Sequence, residues 1–149
     1  MLIKDIFTPN VACCGPQTSA LEAARMMRHG HVGDLIVVDD PREEGVPLGI
    51  ITDRDLVVEV LSNGLDPAKT TVGSLVRKPV VIAYETEDTS QLLERMRAHG
   101  VRRVPVVANE GEVVGIVTLD DLLRLFVSDA SALLDIMTKA RANEQHARR

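Results

Sequence analysis

Aromatic side chains are nearly missing from this chain, which has two Phe, one Tyr and no Trp among its 149 residues. A protein that stacks bases on rings is excluded by that scarcity, and the core must be built from Val, Leu, Ile, Ala and Met. Positive charge is also in deficit: 17 Lys and Arg stand against 22 Asp and Glu, a formal net charge of -5. The field that neutralises a phosphate backbone is therefore absent, and nucleic acid is not an expected partner. No apolar run reaches the roughly 18 residues of a membrane span. Met1 to Thr8 lacks the long apolar stretch behind a basic start that marks a secretory signal, so no membrane association and a cytoplasmic location are expected. The only cysteines are the adjacent Cys13 and Cys14. Neighbours in sequence are poorly placed to bridge each other, and no CxxC spacing occurs, so they read as reduced thiols packed as small hydrophobes. The G-x-S-x-G, GxxxxGK[ST], HExxH and GxGxxG signatures are absent as well.

What is present is a repeat. Hydrophobic residues make up 45% of the chain and charged ones 26%, enough for a compact unit with a core. Pro9-Asn10-Val11 returns as Pro79-Val80-Val81, a shift of 70, and at that shift Arg25-Met26 meets Arg95-Met96 and His29-Gly30 meets His99-Gly100. Val37-Val38 meets Val106-Val107 at 69, and Gly49-Ile50-Ile51-Thr52 with Asp55 meets Gly115-Ile116-Val117-Thr118 with Asp121 at 66. The changing shift locates one extra first-copy residue near His31 and three more in the loop Asp39 to Gly45. Blocks recurring in one order mean a duplicated unit of roughly 60 residues, too small for a generous core alone, so the two copies are expected to pack on each other.

Each copy reads as β-α-β-β-α. A short extended stretch, Val11-Ala12-Cys13 or Val80 to Ala83, leads into a helix. In the first copy Ser19 and Glu22 have capping-box spacing, and Ala20, Ala23, Ala24 and Met27 share one face. In the second, Leu92, Leu93 and Met96 do so. Gly30 and Gly100 are the expected stops. Strands Leu35 to Val38 and Leu48 to Thr52, then Val104 to Val107 and Val113 to Thr118, are apolar enough to be buried on both faces. The closing helices run Asp53 to Leu61, with Asn63-Gly64 as stop, and Leu119 to about Val127. A further helix beyond Val127 has an apolar face at Ala130, Leu133, Leu134 and Met137, and the polar end from Arg141 is expected to fray. The organisation is thus an α/β (α+β) module: first repeat 1–64, linker 65–72, second repeat 73–127, and a C-terminal helix with its tail, 128–149.

The sharpest chemical signal is Gly49-Ile-Ile-Thr52-Asp-Arg-Asp55 and its copy Gly115-Ile-Val-Thr118-Leu-Asp-Asp121. Both stand where a strand enters a helix, where free N–H groups and a partial positive charge suit phosphate. The Thr hydroxyl can add a hydrogen bond, and an Asp three residues on can accept from the two hydroxyls of a ribose. The same residues equally well cap and stabilise their helices.

Taken together, these elements, with His99-Gly-Val-Arg-Arg-Val-Pro-Val-Val107 and the weaker His29-Gly-His-Val-Gly-Asp-Leu-Ile-Val-Val38, resemble a tandem pair of cystathionine-β-synthase (CBS) domains. The resemblance covers about residues 1 to 127. It implies an internal two-fold module with two clefts and a regulatory role without chemistry of its own. It further implies a ligand such as AMP, ADP or ATP, or else NAD or S-adenosylmethionine, association into a homodimer, and a regulated protein that the chain does not identify. On that pattern Thr52, Arg54 and Asp55 serve one cleft and Thr118, Asp120 and Asp121 the other. Val11, Ala12, Cys13, Ile82 and Ala83 frame an adenine, and Leu35, Ile36, Val104 and Pro105 form apolar walls. Arg102 and Arg103 stand where the pattern places cations against phosphate. The first copy has Gly33 and Asp34 there, so unequal clefts are expected.

Other signals weigh less. His29, His31 and His99 lack a carboxylate or thiol at ligand spacing, and no metal is expected. The methionines fall at core positions. Two rival functions stay open: a dimerisation domain with decayed pockets, and a small nucleotide-hydrolysing enzyme using Asp120 and Asp121.

Overall fold

The computed structural model describes every residue except Glu44, within the acidic loop pair Glu43-Glu44, and Arg149. The chain folds as two sheets flanked by helices. Strands β2 (Cys13–Cys14), β3 (Asp34–Val38) and β4 (Pro47–Thr52) form one sheet in the order β2-β3-β4. The other has the order β1-β7-β6-β5, from β1 (Thr8–Pro9), β5 (Ala83–Tyr84), β6 (Arg103–Val107) and β7 (Val113–Thr118). The pairings match copy for copy: β2 runs parallel to β3 and β5 to β6, while β3–β4 and β6–β7 are antiparallel hairpins with a register shift at Val37/Val38 and Val106/Val107.

Alternation along β3 explains why two sheets form one body. Leu35 and Val37 pack with Ala23 and Met27 of α1 (Ala20–Gly30). Ile36 and Val38 turn the other way, to meet Ile116 of the second copy. Strand β3 is thus buried on both faces, as its composition predicts, and so is β6. Strand β4 alternates buried and half-buried instead; it is an edge strand, and its second face is only partly covered.

The leading segment of each repeat is seated in the other repeat. Ile3, fully buried, lies among Ala83, Leu92, Met96 and Val104. Ile3 N–H and Lys4 N–H donate to the carbonyls of Glu87 and Glu85, both at 2.9 Å, and β1 pairs with β7. The equivalent segment of the second repeat, Val72–Ser74, is a 3-10 turn whose Val72 is buried among Cys14, Ala23 and Leu35, with its N–H donating to Thr18 O at 2.8 Å. Order in sequence and membership of a core therefore differ for residues 1–9.

The helices correct two details of the repeat. Helix α1 is capped by Ser19, whose side chain accepts from Glu22 N, and α3 (Thr89–His99) by Asp88. Both span 11 residues, so the structural shift here is 69: Met27, not Met26, is the buried mate of Met96. The shift is already 69 at β2 and β5, where Cys14 pairs with Val37 as Ala83 pairs with Val106, so no extra first-copy residue lies near His31. For the same reason Gly30 is the last helical residue and His31 takes the left-handed conformation, φ 52°, while Gly100 takes it as expected, φ 63°.

Helix α2 (Asp53–Asp55) continues into a π-helical stretch, Leu56–Leu61. Helix α4 (Leu119–Ala147) is one unbroken rod of 29 residues. No Gly or Pro interrupts it, so the closing helix of the second repeat and the expected extra helix are continuous, and helical geometry persists past Arg141. Leu122 is its buried anchor. Residues 128–148 are exposed throughout, Leu133, Leu134, Ile136 and Met137 included. Their apolar stripe does not pack on the chain itself. No helix among the described residues is long and apolar enough to cross a membrane.

Candidate functional site

Gly49 and Gly115 begin the site because the exchanged segments lie directly over them. A Cβ on Gly49 would stand 2.8 Å from Val76 Cβ, and one on Gly115 would collide with Phe7 and Thr8. Three residues later each strand turns into its helix through a full capping box. Thr52 N–H donates to Asp55 Oδ2 (2.9 Å), and Asp55 N–H donates to Thr52 Oγ1 (3.1 Å). In the second copy Thr118 N–H donates to Asp121 Oδ2 (2.8 Å) and Asp121 N–H to Thr118 Oγ1 (3.2 Å). The capping role of these residues is thus real in both copies. The boxes use only Oδ2 of each Asp, and Asp55, which lines the cleft, keeps Oδ1 for a ligand.

The copies differ in one hydrogen bond. Thr118 Oγ1 also donates to Asp121 Oδ2 at 2.9 Å. Among the described residues the Thr52 hydroxyl makes no such bond, so its proton is free for an acceptor in the cleft.

Thr52 and Asp55 open onto a cleft of about 650 Å³, within the usual range for small-ligand sites. Its walls come from both repeats. The first supplies Gly49 and Ile50 of β4 and Asp53 and Arg54 at the helix start; the second supplies Pro79, Val80 and Val81, then Gly100 to Arg103, and Pro105. Leu75 and Arg77 close it from the connection. Of the expected residues, Thr52, Arg54, Asp55, Arg102, Arg103 and Pro105 are together here. A second, smaller hollow of about 150 Å³ gathers Thr118, Leu119 and Asp120 with Asp34, Arg102 and Arg103. Asp121 stands behind it, half-buried in its capping box.

Several expected wall residues lie elsewhere. Leu35, Ile36, Ala83 and Val104 have no exposed surface and serve the cores and the sheet-to-sheet seam. Val11 and Cys13 pack against that seam, and Ala12 is exposed, its carbonyl accepting from Ile36 N–H at 3.0 Å. Ile82 faces a neighbouring groove with Tyr84 and His99, which shares Pro79, Val80 and Val81 with the cleft. The frame of the first cleft is therefore Pro79-Val80-Val81, the stretch just before Ile82, while Ala83 is buried in the second core. Arg77 and Asp53 escaped the sequence reading. The recurrence of Pro9-Asn10-Val11 as Pro79-Val80-Val81 was the available signal for the frame.

Electrostatics separate the two hollows. Arg54, Arg77, Arg102 and Arg103 line the first, with Asp53 and Asp55 as its acids. Arg103 Nε donates to Asp34 Oδ2 at 2.7 Å, a pair between the first residues of β6 and β3. These positions are equivalent in the two repeats, so the pair lies at the internal two-fold. The cysteines take no part: burial pushes the Cys14 thiol up to about 11 and also raises Cys13, so neither is a thiolate at neutral pH. Among the described residues no three His, Cys, Asp or Glu are grouped to hold a metal ion.

Two exchanged repeats, each with a Gly-h-h-Thr-x-x-Asp turn at the boundary between them, define a pseudo-two-fold pair of repeats. The CBS domain profile matches residues 3–62 and 72–128, and the chain belongs to that family. It is similar to MK0525 of Methanopyrus kandleri, 32% identical over 123 residues, 83% of this chain, and spans only 61% of the length of that protein. It is 38% identical over 122 residues to Hypoxic response protein 1 of Mycobacterium tuberculosis, covering 81% of this chain and 82% of the other. A crystal structure of Hypoxic Response Protein I, with two coordinated zinc ions, covers 83% of this chain and 98% of its own at 35% identity, with a TM-score of 0.72. The CBS domain pair of protein MJ0100, crystallised with 5-methylthioadenosine and S-adenosyl-L-methionine, covers 87% of this chain and 98% of its own at 31% identity, with a TM-score of 0.73.

Proposed function

We propose that this chain is a non-enzymatic regulatory module that binds an adenine nucleotide in the cleft between its repeats. The observation that carries this is the convergence of Thr52 and Asp55 from the first repeat on Val80, Val81 and Arg102 from the second. An adenosine placed there stacks on the apolar frame, gives its ribose hydroxyls to Asp55 Oδ1 and presents phosphate to Thr52 and the arginines. The adenosine ligands of the MJ0100 pair support the nucleoside part of this reading; AMP, ADP, ATP and NAD are the candidates here, with S-adenosylmethionine as the alternative.

Because the walls belong to both repeats, a bound nucleotide stabilises one mutual arrangement of them, a population shift. Its readout is a partner protein or a second copy. Val57 and Leu61 on the closing helix of the first repeat, and Leu123 and Val127 on α4, are equivalent positions and all are exposed. That paired apolar face supports a homodimer. The functional units are residues 1–64, 65–72, 73–127 and 128–149, acting in the cytoplasm.

A thermal-shift series with AMP, ADP, ATP, NAD and S-adenosylmethionine tests the reading. Ligand at about 100 times its Kd adds about 2.7 kcal/mol, which raises Tm by roughly 5 to 10 °C at this size. The shift is expected to vanish in Asp55→Ala and to survive in Asp121→Ala. No shift with any of the five returns the chain to the dimerisation-domain reading.

A further inference from the structure

The two clefts are built by duplication, yet none of the four cations of the first has a cation at the equivalent place in the second. Arg54 corresponds to Asp120, Arg102 to Gly33, Arg103 to Asp34 and Arg77 to Thr8. Among the described residues Arg54, Arg77 and Arg102 form no ion pair. The three uncommitted guanidiniums outnumber the acids of that cleft, Asp53 and Asp55, and come from three separate segments, so a run of phosphates can be met at more than one point. Arg102 and Arg103 both border the two hollows, and Asp34 holds Arg103 at 2.7 Å. The second hollow thus presents Asp34 and Asp120, with one of its two guanidiniums already neutralised. Its threonine hydroxyl is spent on Asp121, whereas that of Thr52 is free.

We propose that the chain takes one nucleoside polyphosphate, in the first cleft alone, and that Asp34 is the specificity residue that closes the second cleft to phosphate. Asp34 acts twice. Its carboxylate repels a phosphate beside Asp120, and it withholds one of the two guanidiniums, Arg102 and Arg103, that border both clefts. The nucleoside part rests on the function proposed above; the charge part rests on the arginines and Asp34 alone.

Isothermal titration of the full chain with ATP, and separately with inorganic tripolyphosphate, tests both parts. The wild type is expected to bind one ATP and one tripolyphosphate per chain, each displacing the other. Arg102→Ala weakens both by roughly ten- to a hundredfold, the usual effect of losing a charge-assisted hydrogen bond. Asp34→Ala and the isosteric Asp34→Asn free Arg103, and a second, weaker binding event appears in each; a melting curve confirms that both variants fold. Two equal sites in the wild type would overturn the proposal. So would Asp34 variants whose isotherms superimpose on the wild type, or failure of tripolyphosphate to bind. Binding of tripolyphosphate without ATP would instead sink the nucleotide reading and leave the charge assignment standing.

Discussion

Replacing Ile3 by Ala probes the exchange of leading segments, on which the geometry of the first cleft depends. Ile3 comes first in the chain, yet it is fully buried in the second repeat's core against Ala83, Leu92 and Val104. The substitution removes three carbons, worth about 2.4 kcal/mol at about 0.8 kcal/mol per buried methylene. The cavity left in a close-packed site brings the cost to about 3 to 4 kcal/mol. For a chain of this length that is a fall in Tm of roughly 10 °C, and a large share of the 5 to 15 kcal/mol that holds a domain together. Without Trp, the assay is urea unfolding followed by circular dichroism. The parallel variant Val72→Ala, at the equivalent place in the first core, is expected to cost less because Val loses fewer carbons. A change below about 0.5 kcal/mol for Ile3→Ala, the level of an ordinary surface substitution, would refute the burial of Ile3 on which the exchanged packing rests.

Three further outcomes follow from the packing and the charges. Gly115→Ala drives a Cβ into Phe7 and Thr8 and should cost about 1 to 3 kcal/mol by overpacking; a melting temperature within a degree of wild type would contradict the close approach. Asp88 accepts from the hydroxyl and N–H of Ser90 and pairs with the Met1 ammonium, and these, the Ser90 hydroxyl foremost, hold its carboxyl well below the usual range. A depressed acid stabilises the fold above its ordinary pKa of about 3.9 and loses that contribution as pH falls. Stability should therefore drop below about pH 4, less steeply in Asp88→Asn, and equal slopes in pH-dependent unfolding would count against the cap. Residues 128–148 are exposed throughout, so on truncation after Val127 the melting temperature of a dilute sample should hold while light scattering shows weaker association; unchanged association would mean that the α4 extension contributes nothing to assembly.

Much of this protein was legible in the residues. The duplication, the two hairpins, the Ser19 cap and the Gly-h-h-Thr-x-x-Asp turns are local patterns, fixed by side-chain period and by which groups can satisfy a helix start. The unequal clefts were legible too, because Gly33 and Asp34 stand where the second copy has Arg102 and Arg103. Identity between copies misled where it competed with burial: Arg25-Met26 matches Arg95-Met96 letter for letter, yet the core takes Met27 with Met96. A helix is registered by the face it buries, not by its exposed residues.

Tertiary structure alone decided what lies across the fold. Sequence could not say that Ile3 serves the second core and Val72 the first, since an exchanged segment and a self-packed one bury the same side chains. Nor could it send Arg102 and Arg103 to the cleft of Thr52, or make Asp34 the partner of its own counterpart, Arg103, across the internal two-fold. The wall residues fell on the wrong side of that line because one residue's step along a strand turns a side chain from cleft to core. Local chemistry set the parts of the site in each repeat, and only the packing of one repeat on the other joined them into a cleft.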